Sequence, residues 1–596
     1  MSGAAASLGL WRSSLLTAAD RRVAPPDLSG TEFDLAIGET LMDFTGSPRV
    51  AVTVNDSLPA QTLRWREGDV VTLRVANRLR EETSIHWHGI FVPANMDGVP
   101  GLSFNGIQPG ETFTYRFTVR QSGTYWYHSH SGFQEQLGLY GALVVEPRDP
   151  EPFRYDRDHV VVLSDWTDEN PDRVFAKLKK QSHFYNYNRR TVGDFLRDAR
   201  QRGFGATVSD RLAWGDMRMN ATDLADVTGA TYTYLMNGRA PAGNWTGLFR
   251  RGERVRLRFI NASAMTHFDV RIPGMKMTVV AADGQNVHPV TVDEFRVATA
   301  ETFDVIVEPS GQDAFTIFAQ ALDRTGYACG TLAVREGLSA PVPDVDARPL
   351  LTMDDIGHGG MDHAGMAMGE ETPMSDEMPG MDHSAHAGMP APPPDPQETD
   401  EHAGHDMAAM GGAMSEMAGG EAMQSHPPSE RGNPLVDMQT MAPVSRLDDP
   451  GIGLRGNGRR VLTYADLTNV FTDPDGREPS RTVELHLTGH MERFAWSFDG
   501  VKFSDADPIR LTYGERMRIV LVNDTMMTHP IHLHGMWSDL EDDDGRFHLR
   551  KHTVDMPPGS KRSFRVRADA LGRWAFHCHL LYHMAAGMFR EVRVDE

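Results

Sequence analysis

A chain of 596 residues exceeds what one hydrophobic core supports, so three or four domains are expected. A formal charge of −23 argues against a nucleic-acid partner, which needs a basic face, and no apolar run is long enough to span a membrane. Two cysteines cannot build a disulfide framework, whereas 32 methionines and 25 histidines are ligands for soft and borderline metals.

In chain order, Met1 to Leu16 is small and mildly apolar, with no basic n-region ahead of it. Arg21-Arg22 is followed by Val-Ala-Pro-Pro instead of an apolar segment, which makes a poor twin-arginine signal; either the protein is cytosolic or its signal has been lost from this chain. A repeat then begins. GDVVTLRVAN ends at Asn77, GERVRLRFIN at Asn261 and GERMRIVLVN at Asn523. Each has a turn glycine, an acidic residue, alternating apolar positions and a closing asparagine. That pattern predicts a half-buried β-strand entered from a tight turn. Three copies with one punctuation imply three copies of one β-domain, placed at 30–150, 151–345 and 446–596. The middle copy keeps His267 where the third has His529 but lacks the other histidines, so it is expected to be structural. Within it, about 170–225 reads as a helical insertion.

Residues 346–445 change character. Met361, His363, Met366, Met368, Met381, His383, Met407 and Met410 sit among Gly, Ala, Pro and Glu, with almost no aromatic or β-branched residues. Such a stretch cannot bury a core and is expected to be a disordered linker. Plain linkers do not collect thioethers, so these residues are candidate copper ligands.

Four short clusters carry the chemistry: His86-Trp87-His88, His128-Ser129-His130, His529-Pro-Ile-His532-Leu-His534, and His577-Cys578-His579 followed by His583 and Met588. In a strand, alternate residues face one side, so each His-x-His pair offers two imidazoles to one site. Cys578 must then face a different metal from its neighbours, and two sites are joined by a covalent path a few bonds long. One thiolate (Cys578), two imidazoles (His529, His583) and a weak thioether (Met588) make the ligand set of a blue-copper centre. Eight histidines remain: His86, His88, His128, His130, His532, His534, His577 and His579. The two outer domains contribute four each, so they should meet there. A structural zinc site closes with four ligands, too few to use eight. Cys329 has no such neighbours and reads as an inert buried thiol.

At these clusters, and in SIHWHGI, PANMDGVPG, HPIHLHGMW and HCHLLYHMAAGMF, the chain resembles the multicopper oxidases, with wording close to the bacterial copper-resistance protein A family. The resemblance covers nearly everything outside the linker. It implies an all-β protein of three cupredoxin-like Greek-key sandwich or barrel domains. It also implies four copper ions: type 1 on His529, Cys578, His583 and Met588, type 2 on His86 and His532, and a type 3 pair on His88, His128, His130, His534, His577 and His579. Electrons would pass from type 1 copper through Cys578, His577 and His579 to the cluster, where dioxygen becomes water. Asp97 matches a carboxylate that helps deliver protons in related oxidases; its plain alternative is a turn aspartate. The family is exported to the periplasm, so the resemblance implies a periplasmic protein in which residues 1–29 are the remnant of an export signal.

The expected partners are dioxygen, a reductant, and other copper-handling proteins. The reductant is read as Cu(I), because thioethers suit it and Met526, Met527, Met536 and Met584 lie near the type 1 ligands. The acidic run from Glu541 to Asp544 could attract a cation near electron entry, or be a solvated loop. The alternatives are a laccase-like oxidase of phenols and aromatic amines, and a protein that sequesters copper on its linker.

Overall fold

The computed structural model describes residues 26–358 and 423–596. The described chain is mostly β and forms three cupredoxin-like units, each of two facing sheets. In the first, the order is Leu28–Ser29, Ala60–Arg66, Tyr140–Glu146, Gly123–His128, His86–His88 in one sheet and Arg49–Val54, Glu32–Met42, Val70–Asn77, Thr112–Thr118 in the other. The second and third units each pair a six-stranded with a five-stranded sheet. Their connectivity matches strand for strand, with Phe268–Arg271 of the second occupying the place that His529–Leu533 takes in the third.

The repeated strands Val70–Asn77, Val255–Asn261 and Arg516–Asn523 all lie inside their sheets. Each runs parallel to one neighbour and antiparallel to another. The first shows the alternating burial its sequence predicts; the other two are buried almost throughout. The closing asparagine has a structural task. The Asn523 amide donates to Met527 O and Met556 O, both at 2.8 Å, and its oxygen accepts from Thr525 N at 2.9 Å. Asn77 and Asn261 clamp the equivalent loops the same way. Backbone groups that leave the ladder need such partners, and in the third unit the clamped loop leads directly into His529.

Between the strands Arg157–Trp166 and Thr233–Met236 lie three helices, Pro171–Lys180, Val192–Arg202 and Phe204–Asp216. Asn170 caps the first and a Thr191/Asp194 capping box starts the second.

The expected linker 346–445 is described only at its ends, and those ends are packed. Leu351, Ile356, Met438 and Thr440 are buried. Leu351 N donates to Ala221 O, and Val444 bridges to Ser560. The stretch builds no core of its own at these ends; a few apolar residues there reach an existing core, which average composition conceals. Met361, His363, Met366, Met368, Met381, His383, Met407 and Met410 lie outside the described residues.

Buried charge locks the units together. Asp304 of the second pairs with Arg256 at 2.6 Å and accepts from Thr124 Oγ1 of the first at 2.8 Å. Lys551 of the third, wholly buried, reaches Asp283 at 3.0 Å and Glu301 at 2.9 Å in the second. Asp283 also accepts from His552 N and Thr553 N. Such pairs fix geometry more than they add stability, and they fix it beside the histidines.

Candidate metal centre

His86–His88 pairs antiparallel with Gly123–His128, setting His86 opposite His128. His529–Leu533 pairs with Gly572–Cys578, setting His532 opposite His577 and Ile531 opposite Cys578. The residues between the histidines turn into the cores: Trp87 packs against Trp65 and Tyr115, and Ile531 and Leu533 are buried. Gly98 allows the first strand to sit here. Its φ is +81°, and a Cβ would lie 1.9 Å from Ile85 O.

The first and third units meet ring on ring. His86 stacks on His534 with centroids 3.9 Å apart, and His88 on His532 at 3.8 Å. Ligand atoms of His86, His532 and His534 lie within 4.8 Å of one another, as do those of His86, His88 and His128, and of His130, His534 and His577. His579 joins through ring contacts with His88 and His128. All eight histidines are thus gathered in one place.

Six of the eight rings are held by one nitrogen. His86 Nδ1 meets Asp97 O and His534 Nδ1 meets Asp97 Oδ2, both at 2.8 Å. His532 Nδ1 meets His552 O at 2.5 Å, His577 Nδ1 meets Cys578 O at 2.9 Å, and His128 Nδ1 meets Glu135 Oε2 at 2.6 Å. His88 is reversed: its Nε2 contacts His552 Nδ1 and Thr553 Oγ1, both at 3.2 Å. The inner nitrogens of His86, His88, His128, His130, His532 and His579 are buried without a hydrogen-bond partner.

Burial, and then the neighbouring imidazoles, push the pKa values of His88, His130, His532 and His534 well down. His577 falls to about 4, again chiefly through burial. These rings are neutral, with lone pairs pointing inward. His534 Nε2 and His577 Nε2 face each other at 3.1 Å while their protons are engaged on the other side. Buried lone pairs so opposed need a cation between them.

The second group shows the same signature. Cys578 Sγ lies 3.5 Å from His529 Nδ1 and 3.9 Å from His583 Nδ1, and those two nitrogens are 3.1 Å apart. Their outer nitrogens meet Thr525 Oγ1 and Asp226 Oδ2, both at 2.7 Å. Met588 is fully buried, its carbonyl accepting from Cys578 N at 3.1 Å. Trp496 stacks on His583 at 4.0 Å. Burial raises the Cys578 thiol well above its usual range, so thiolate requires a cation to stabilise it. Donor type and convergence fit copper at both groups.

Some expectations need correction. The second unit, expected to be structural, also supplies Asp226, near its helices, which holds His583. Glu541 is no free anion: it is buried and paired with Arg518 and Arg565. Asp97 ends a short 3-10 turn, as a plain turn aspartate would, but it also anchors two histidines. Asp226, Glu135 and His552 escaped the sequence reading, since each is a lone residue outside any cluster. Cys329 is buried, with Pro241 O 3.8 Å from its sulfur.

Comparison with known proteins agrees with this architecture. Multicopper oxidase family models match residues 36–150, 157–337 and 476–596. Copper resistance protein A of Escherichia coli is 64% identical, covering 100% of this chain and 98% of that protein. Its counterpart in Pseudomonas syringae pv. tomato is 65% identical, covering 100% and 97%. Among solved structures, Fet3p, a multicopper oxidase that functions in iron import, superposes with TM-score 0.61 at 17% identity, covering 95% of this chain and 90% of that one. Laccase from Botrytis aclada gives 0.59 at 18% identity, covering 96% and 88%. The chain belongs to the multicopper oxidase family, within the copper resistance protein A branch.

Proposed function

We propose that this oxidase takes electrons from Cu(I) and passes them to dioxygen, in the service of copper resistance in the periplasm. Four Cu(I), one dioxygen and four protons give four Cu(II) and two waters. The role in resistance follows its relatives' name, and the periplasm follows the exported family it resembles; no helix among the described residues is long and apolar enough to cross a membrane.

Four resident copper ions are assigned. Type 1 goes to His529, Cys578, His583 and Met588, type 2 to His86 and His532, and the type 3 pair to His88, His128, His130, His534, His577 and His579. Bound there, copper supplies the one-electron changes that link a single-electron donor to the four-electron reduction of dioxygen. The chain supplies the rest. Cys578 lies between His577 and His579, so one short stretch of backbone joins the two groups. Asp97 and Glu135 hold the outer nitrogens of His534 and His128, fixing which lone pair points inward. Trp126, stacked on His128 at 4.3 Å, and Phe589, stacked on His577 at 5.7 Å, pack against two of the rings.

The observation that carries Cu(I) as donor is a small cavity beside the thiolate group. It is lined by Asp226, Met265, His267, Met527, Thr528 and Leu580 among others, with a volume of about 10 Å³. That holds one water or one ion, not an aromatic ring. Its thioethers suit Cu(I), and Asp226 touches His583 directly. The test is oxygen uptake by the copper-loaded protein with Cu(I) or a phenol as donor. Uptake with Cu(I) well above that with phenol is expected; uptake with phenol alone makes the chain laccase-like.

A further inference from the structure

A second group of metal-ligating side chains lies in the third unit, apart from the histidines already described. His486 comes from the strand Arg481–His490, Asp524 directly follows the neighbouring strand Arg516–Asn523, and Glu430 ends the 3-10 turn Pro428–Glu430, with His426 just before it. Glu430, His486 and Asp524 are buried. His486 Nδ1 lies 2.6 Å from Asp524 Oδ2 and 3.7 Å from Glu430 Oε1. His426 Nδ1 lies 3.2 Å from both Glu430 Oε2 and Asp524 Oδ2.

The outer nitrogens are engaged elsewhere. His426 Nε2 meets Thr440 O at 3.0 Å, and His486 Nε2 meets Glu484 Oε1 at 3.3 Å. A ring nitrogen committed to a carbonyl or carboxylate, with its partner nitrogen turned to a shared point, is the arrangement that metal-binding histidines adopt. Glu430 and Asp524 are also anchored from behind, by Gln439 Nε2 at 2.7 Å and Thr440 N at 2.8 Å.

The rival explanation is a network of protonated histidines and carboxylates. It leaves two atoms unexplained. His426 Nδ1 makes a hydrogen bond to neither neighbouring oxygen despite its closeness, and Glu430 Oε1, on a side chain with no exposure, has no hydrogen-bond partner. An imidazolium at 3.2 Å would turn its N–H onto one oxygen. His486 Nδ1 and Asp524 Oδ2 do hydrogen-bond at 2.6 Å, but the two unpaired atoms beside that bond are placed for a shared cation.

We propose that His426, Glu430, His486 and Asp524 bind a further copper ion, as Cu(II). Two imidazoles and two carboxylates form a nitrogen–oxygen set without sulfur, which favours Cu(II) over Cu(I) and, among the first-row divalent ions, binds copper most tightly. The site adjoins the thiolate group, since Asp524 precedes Thr525, whose hydroxyl lies 2.7 Å from His529 Nε2.

The test uses the full chain, loaded with excess Cu(II) and dialysed, beside His426→Gln and Glu430→Gln. Folding is checked in each by the thermal midpoint and by the visible band of the thiolate site. Copper held on the Met/His-rich stretch or the other histidines is common to all three proteins, so the difference isolates this site. Each variant is expected to retain one copper ion fewer per chain and to lose one Cu(II) component, with nitrogen hyperfine structure, from the electron paramagnetic resonance spectrum. Equal copper content and unchanged spectra in folded variants overturn the proposal, as does a deficit that appears with Zn(II) and not with Cu(II).

Discussion

Asp226 and Asp97 do the same work at two different sites: each carboxylate holds the outer nitrogen of an inward-facing imidazole. Asp226→Ala leaves His583 free to turn and its Nε2 buried without a partner. Losing such a partner costs roughly 10–100-fold in metal affinity or activity, so steady-state oxygen uptake should fall by about that factor while the cluster's copper content is kept. If His583 needs no such support, uptake stays at the wild-type level. Asp97→Ala acts at the other end of the path. It removes the partner of His534 Nδ1 at 2.8 Å, and the variant should lose cluster copper on dialysis roughly 10–100-fold more readily, with the visible band of the thiolate site unchanged. Copper retention equal to wild type would reduce Asp97 to a turn residue.

The repeated strand is an element whose meaning lies at its end. Its alternating apolar positions predict a β-strand, but only the structure explains the asparagine that closes each copy. Asn523→Ala removes the clamp on the loop entering His529 and leaves carbonyls of Met527 and Met556 without that donor. A buried group left unpaired costs about 1–3 kcal/mol, so the thermal midpoint should drop by several degrees; a drop under a degree would deny the clamp its role. The His-x-His pairs were legible because strand alternation is local: two residues apart means the same face. Asp226 and His552 were not legible, because they reach His583 and His88 across 357 and 464 residues of sequence. No spacing rule encodes such an approach; it follows from how three units dock. The packing of the linker's flanks was hidden for a related reason, since Leu351 and Ile356 look isolated until a neighbouring core is there to receive them.

At the scale of the whole molecule, the histidine cluster exists only because the first and third units are held face to face, and the second unit is the spacer. Lys551 ties that arrangement together between Asp283 and Glu301. Lys551→Met leaves two buried carboxylates uncompensated, a loss of about 3–5 kcal/mol. The variant should unfold at a clearly lower temperature and lose cluster copper along with it; a midpoint equal to wild type would show that docking rests on apolar contact alone. The three-unit plan was legible from the repeat, and the ligand clusters from their spacing, whereas the carboxylates and the lysine that orient them appear only when the units are assembled.

Whether Cys578, His529 and His583 form a copper–thiolate site is read from the visible absorption spectrum of the fully copper-loaded protein beside Cys578→Ser. An intense band toward the red end that is absent from the variant is the expected result. A colourless protein at full copper loading would contradict it.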